Sequence, residues 1–398
     1  MNGGQNGCPG FGWSRDCLMP QPIRIFFSCS GVGIIDRGIE TFFREAFDGL
    51  RGSEGLDLTL YKGAGKETDH ERVLWNVPRT GHIARLLGEC IRRNSYIAEQ
   101  LSTFPSMVRA IRKHRPDIVF YSDSNLGFAL FRWRKQIGVP FRLLFSNGGP
   151  CDPPFPRTDY VHQVAPFHFE QAVAAGVSPK IQHMVPYGIS VPVGAPDVSE
   201  LANRQVREKL RLPLDRRIVL SVGWIAAEQK RMDYVVNEVA RLPTPRPYLV
   251  LLGSIDKESG MVLDLARAKL GTEDFTVRSV PHPQVTDYYR AADIFVLGSL
   301  QEGFGRVLLE ALVHGLPAIA HDHPVMRFVL DSHGSLADLS KAGALAKQLS
   351  FALPTPNTPE AASERRESVR RRFSWPVLAP QYRDMFIDCA RRVQPSLK

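Results

Sequence analysis

Short, nearly unbroken apolar runs recur along the chain, several of them closing on a glycine or proline turn. In the first half they are Ile23-Arg24-Ile25-Phe26-Phe27-Ser28, Asp117-Ile118-Val119-Phe120-Tyr121 and Phe141-Arg142-Leu143-Leu144-Phe145-Ser146, with a shorter one from Asp159 to Val164. Arg217 to Val222, Tyr248 to Leu252, Phe275 to Val277, Ala292 to Leu297 and Ala318 to Ala320 repeat the pattern in the second half. Runs of this length, rich in Val, Ile and Phe, read as strands buried on both faces. Between them lie stretches with helical spacing, such as Phe42, Phe43 and Phe47. Strand and helix in alternation predict parallel sheets with right-handed crossovers. A chain of 398 residues is long for one core, so two domains are expected. The Pro/Gly-rich Val191 to Ser199 marks the joint. The expected division is a disordered tail over 1–21, a first domain over 22–190 and a linker over 191–205. A second domain follows over 206–372, and a C-terminal segment over 373–398.

One segment carries candidate chemistry. Glu302-Gly303-Phe304-Gly305-Arg306-Val307-Leu308-Leu309-Glu310 places two carboxylates at E-x7-E spacing, after a strand and across a glycine turn. Gly315 and Pro317 then end the helix that the apolar run predicts. The amides of about Gly305 to Leu308 fall at a helix N-terminus, where they can cradle a phosphate. Acids on both sides of such a cradle suit a diphosphate with hydroxyls on either flank, as in a nucleotide-sugar.

This segment resembles the donor-site signature of the family 4 retaining glycosyltransferases. The resemblance implies an α/β fold of GT-B type: two Rossmann-like domains whose parallel sheets face an interdomain cleft, with a C-terminal helix crossing back to the first domain. It implies Glu302 at the donor sugar, the turn from Gly303 through Phe304 to Gly305 at the sugar and phosphate, and Glu310 on the ribose hydroxyls. Arg306, Val307 and Leu308 complete the donor cradle. Met184 to Ile189 is similar to the family's segment at the end of the first domain, and Phe373-Ser374-Trp375 onward to its returning helices.

The leaving group in such a transfer is a diphosphate, whose charge needs a metal or a cationic clamp. No D-x-D set argues for a metal, so neither metal nor cofactor is expected. Gly223, Lys230 and Arg231 follow the strand ending at Val222, and the two cations are the expected phosphate ligands. The family usually has Arg directly after the glycine; Trp224 stands there in this chain. In the first domain, Gly31, Gly33, Arg37 and Gly38 form a second turn between strand and helix, expected at the acceptor or the donor phosphates. Its spacing is not the dinucleotide fingerprint G-x-G-x-x-G. Asn147 stands where the family often has His, and His162 is a candidate to occupy nearby space.

A net charge of +9 calls for anionic partners. No nucleic-acid motif accompanies it, which leaves a UDP- or GDP-linked donor or an anionic membrane surface. Arg79, Arg85, Arg92 and Arg93 alternate with Ile83, Leu86, Leu87 and Ile91, either a helix lying on an anionic leaflet or a solvated helix over the core. The six cysteines lack C-x-x-C spacing, which argues against a zinc site or a disulfide framework and fits a reducing cytosol. The expected protein is a cytoplasmic enzyme, with the inner membrane face as an alternative station. It moves a sugar from a nucleotide-diphosphate donor to a saccharide or lipid-linked hydroxyl, in glycan, cell-wall, glycolipid or exopolysaccharide synthesis. A nucleotide-sugar epimerase on the same fold and a non-catalytic sugar-nucleotide or glycan binder remain alternatives.

Overall fold

The computed structural model describes residues 21–391 other than 36, 80, 84–85, 87–94, 150 and 196. The expected N-terminal tail and most of the basic amphipathic stretch, including Arg85, Arg92 and Arg93, lie outside the described residues.

Two all-parallel sheets form. The first has β1 (Ile23–Cys29), β2 (Leu56–Lys62), β3 (Glu71–Val73), β4 (Ile118–Tyr121), β5 (Arg142–Asn147), β6 (Tyr160–Gln163) and β7 (Gln182–Met184). Their order is β3-β2-β1-β4-β5-β6-β7. The second has β8 (Ile218–Val222), β9 (Tyr248–Leu252), β10 (Phe275–Arg278), β11 (Ile294–Val296), β12 (Ala318–His321) and β13 (Ser335–Ala337), in the order β10-β9-β8-β11-β12-β13. In both sheets the strand order reverses beside a central strand, which opens a crevice at the strand C-termini. β2, β3, β7 and β13 go beyond the strands expected from the apolar runs. β3, β7 and β13 are only three residues each and flank the sheets, where few apolar side chains are needed.

Aspartates fasten the strand entrances. Asp117, Asp159 and Asp293 each stand just before a strand and accept the first amides of its neighbour. The bonds run from Arg24 N at 2.8 Å, Leu143 N at 2.8 Å and Ile218 N at 2.6 Å. Each satisfies a backbone donor at a sheet end that would otherwise be left without a partner.

The first-domain core is aromatic. Phe27, Phe42, Phe43, Phe47 and Phe120 are all fully buried. The C-terminal helix Trp375–Arg391 belongs to this core: Phe386 meets Phe27 at 5.8 Å and Phe120 at 5.5 Å between ring centroids. Tyr382 donates to Pro186 O at 2.9 Å. The final helix therefore crosses back to the first domain, as the resemblance implies. The two crossings touch each other, since Ile189 N donates to Phe373 O at 2.9 Å.

The linker is shorter than 191–205. Residues 200–205 open the helix Glu200–Leu210, capped by the Ser199 hydroxyl on Ala202 N at 3.2 Å. That helix is tied to the second domain by Asn203 Nδ2 on Ala291 O at 3.2 Å. No helix among the described residues is long and apolar enough to cross a membrane.

Candidate active site

β11 feeds a turn that the glycines make possible. Gly305 has φ +80°, a left-handed backbone that glycine adopts without strain, and it caps the helix Arg306–Val313. A Cβ on Gly303 would lie 2.0 Å from Gly148 O, so glycine is required at this contact between the two domains. Leu308 N donates to Gly305 O at 2.9 Å. That removes one of the four amides expected in the cradle and leaves those of Gly305, Arg306 and Val307, among the described residues, without a protein acceptor.

Lys230 comes to this turn from the loop after β8, 72 residues earlier. Its Nζ lies 2.6 Å from Glu302 Oε1, with both side chains largely buried. Gly223, at φ +153°, leaves room for it: a Cβ there would sit 3.1 Å from the lysine's methylenes. The structure thus joins residues from two separate motifs, Gly223 and Lys230 after β8 and Glu302 after β11. About one turn into the helix, Glu310 accepts from Tyr289 Oη at 2.9 Å and faces His282 Nε2 at 3.9 Å. Burial opposes its ionisation, but the His282 contact, the Arg306 charge and the Tyr289 hydroxyl together hold its carboxyl below the ordinary glutamate value.

Other expected ligands are engaged elsewhere. The Arg231 guanidinium donates to Leu339 O at 2.8 Å and Gly298 O at 3.2 Å and lies 4.2 Å from the Tyr234 ring centroid. It fixes the back of the loop and is not presented to a phosphate. Arg306 is buried, donating to Gly188 O and Glu45 Oε1, each at 2.8 Å. Its side chain ties the two domains together and does not belong to the donor cradle. Phe304 and Leu308 are core residues by their side chains, with Phe304 packed on Tyr187 and Phe373. Val307 is half-buried in the same helix. Trp224 donates from Nε1 to Asp256 Oδ2 at 2.7 Å, so the position of the family's arginine carries no cation.

In the first domain, Gly31 and Gly33 shape a turn packed against its surroundings. A Cβ on Gly31 would meet Glu40 Oε1 at 2.2 Å, and one on Gly33, with φ +83°, would meet Ala64 O at 2.3 Å. Arg37 is exposed and precedes the helix Gly38–Leu50, whose first residue has open space around it. Asn147 is buried: Nδ2 donates to Gln163 Oε1 at 3.0 Å, and Oδ1 accepts from Cys151 N at 3.2 Å. It holds the shape of the glycine turn beside Gly303.

His162 is not a site residue. It is fully buried, donates from Nε2 to Val185 O at 2.7 Å, and takes the Ser146 hydroxyl on Nδ1 at 3.0 Å. Burial depresses its pKa to about 3, against a bond to Val185 O that works upward.

Two features had no signal in the sequence. Glu40, Glu99 and Asp123 gather around Arg79 at the ends of β1 and β4. Arg79 Nε reaches Glu99 Oε1 at 2.9 Å, and Asp123 accepts from Ser30 N at 2.7 Å. Arg79 therefore turns inward and is not available to a membrane. The second is His168, on the helix Pro166–Ala174, whose Nε2 donates to Gly303 O at 2.7 Å from 135 residues away. Among the described residues no cluster of His, Cys, Asp and Glu could hold a metal ion.

Residues 202–369 match the family model of glycosyl transferases group 1. That stretch is a group 1 glycosyltransferase domain. It holds Lys230, Glu302 and Glu310 together with the whole second sheet. The chain is 29% identical over 220 residues to a D-inositol 3-phosphate glycosyltransferase of Xylanimonas cellulosilytica, covering 53% of this chain and 52% of that one. It is 30% identical to the putative teichuronic acid biosynthesis glycosyltransferase TuaC of Bacillus subtilis, over 44% and 43% of the two chains. The matches thus span about half the length of these curated relatives. Among solved structures, a sucrose-phosphate synthase from Thermosynechococcus elongatus superposes with a TM-score of 0.71 at 20% identity, over 92% of this chain and all of that one. Anabaena HepE in complex with UDP-glucose gives 0.71 at 15% identity, over 92% and 99%. The group 1 glycosyltransferase domain accordingly sits in a GT-B fold.

Proposed function

We propose that this protein is a retaining glycosyltransferase that takes its sugar from a nucleotide-diphosphate donor. The observation that carries the reading is the Lys230–Glu302 pair beside free helix N-terminal amides, with Glu310 about one turn into the same helix. A similar structure was solved with UDP-glucose, and curated relatives are named as glycosyltransferases, which supports a donor of this class.

The amides of Arg306 and Val307 and the Lys230 ammonium meet the diphosphate, so its growing charge is balanced as the glycosidic C–O bond breaks. Glu302 anchors Lys230 and polarises the donor sugar. The acceptor hydroxyl enters from the first-domain side of the cleft, on the face the diphosphate leaves. Its oxygen forms the new bond to the anomeric carbon, and its proton passes to the departing phosphate oxygen. Glu310 receives the ribose hydroxyls. The acceptor is a saccharide or a lipid-linked saccharide.

The test is a donor panel. Purified protein, with EDTA, is incubated with UDP-, GDP- and ADP-sugars plus a membrane lipid extract, and nucleotide release and product anomer are followed by NMR. Release from one donor with retained configuration, abolished in Glu302→Ala, supports the reading. Release without a glycosylated product, or epimerised donor, overturns it.

A further inference from the structure

The turn that carries Glu302 is held from the other domain. His168 lies in the first turn of the helix Pro166–Ala174, started by Pro166, and only 7% of it is exposed. Its Nε2 is 2.7 Å from Gly303 O. A carbonyl only accepts, so the ring is the donor and Nε2 carries the proton. On another side of the same residue, Gly148 O lies where a Cβ of Gly303 would be, at 2.0 Å. Phe167, next to His168, meets the His323 ring edge-on at 4.9 Å, which brings the start of the helix Pro324–Leu330 into the same contact. Glu302 is therefore fixed twice: by Lys230 within its own domain and through Gly303 by the first domain.

Domains of one chain move relative to each other unless a large apolar interface stops them. The His168–Gly303 bond crosses between the two domains, so any opening of the cleft there must break it. While closed, the buried Gly303 carbonyl needs its donor, because an unmet buried acceptor is costly. We propose that His168 is the positioning residue of this site, docking the Glu302–Gly303 turn onto the first domain so that the carboxylate is set only in the closed cleft. The catalytic consequence rests on the transferase reading; the docking itself does not.

Two substitutions separate the donor from the ring. His168→Phe keeps an aromatic ring beside Phe167 and removes the N–H. His168→Gln keeps an amide N–H with similar reach. Turnover over the UDP-, GDP- and ADP-sugar panel is expected to fall about ten-fold in kcat for His168→Phe, with donor KM little changed, and to recover in His168→Gln. Small-angle scattering of the full chain without ligand should show a larger radius of gyration for His168→Phe but not for His168→Gln.

An unchanged kcat in His168→Phe, or a loss that His168→Gln does not relieve, overturns the positioning role. If the intact protein turns over no donor, the transferase reading fails and scattering alone decides: an unchanged radius in His168→Phe overturns the docking. Should His168→Phe not fold, Gly303→Ala replaces it, because its methyl pushes against Gly148 O and should open the same contact.

Discussion

Lys230 Nζ and Glu302 Oε1 are 2.6 Å apart, a cation and a carboxylate brought from the ends of two neighbouring parallel strands. The pair sets a division of labour. Glu302→Ala frees Lys230 to meet phosphate, so donor affinity should hold while kcat falls about a hundred-fold or more. Lys230→Ala should weaken donor binding and also destabilise the protein by about 3 kcal/mol, because it strands a buried carboxylate. Calorimetric titration with UDP and GDP, alongside thermal melting, distinguishes these outcomes. Comparable loss of donor affinity in both variants would contradict the assignment.

Glu310 predicts the converse. Its carboxylate is held ionised by His282, Arg306 and Tyr289 and has accepting capacity left for hydroxyls. Glu310→Ala should weaken nucleotide binding by about 2 kcal/mol, the worth of hydrogen bonds to a charged acceptor, with kcat less affected. Titration with the matching nucleoside diphosphate reads it directly.

Arg306 is expected to matter through stability. Its guanidinium joins Glu45 of the first domain and Gly188 of the crossing to the helix that follows the glycine turn. Arg306→Ala leaves Glu45 without its cation and should cost about 3–5 kcal/mol. The measurement is a urea titration. A melt unchanged from the native protein would show that the strut contributes nothing.

Asp123 makes part of the stability depend on pH. Burial raises its pKa from 3.8 to about 6, against the opposing bonds from Ser30. Below pH 3.8 the group is protonated folded and unfolded, and the folded state bears no charge penalty. As pH rises towards 6 the unfolded chain gives up the proton first, so this contribution to stability is lost. Asp123→Asn should therefore gain on the native protein between about pH 4 and pH 6, and the difference should level off above. Urea midpoints at pH 4, 5, 6 and 7 test the sign.

Phe386 tests the return of the last helix. It is fully buried against Phe27 and Phe120, both in strands of the first sheet. Phe386→Ala should cost about 3–5 kcal/mol, as for other large-to-small changes in an aromatic core. A loss under about 1 kcal/mol would mean that the helix is only loosely docked.

The parallel sheets and the glycine turn from Glu302 to Gly305 were legible in the chain. Each depends on neighbours in sequence: a run of apolar residues that must be buried on both faces, glycines that permit a left-handed turn, a proline that ends a helix. Lys230 and Glu302 were each expected at the donor site from their own motifs; their contact was not, and it follows from the order of strands in the second sheet, which sets β8 beside β11. The tertiary structure decided which cations remain available. Arg231 and Arg306 look like phosphate ligands in sequence, yet backbone carbonyls and Glu45 engage them. His162 became a buried strut because β6 is an interior strand, paired on both sides by β5 and β7. His168 was silent in sequence because its partner is a carbonyl, which every residue has, and because only the approach of the two domains brings them together.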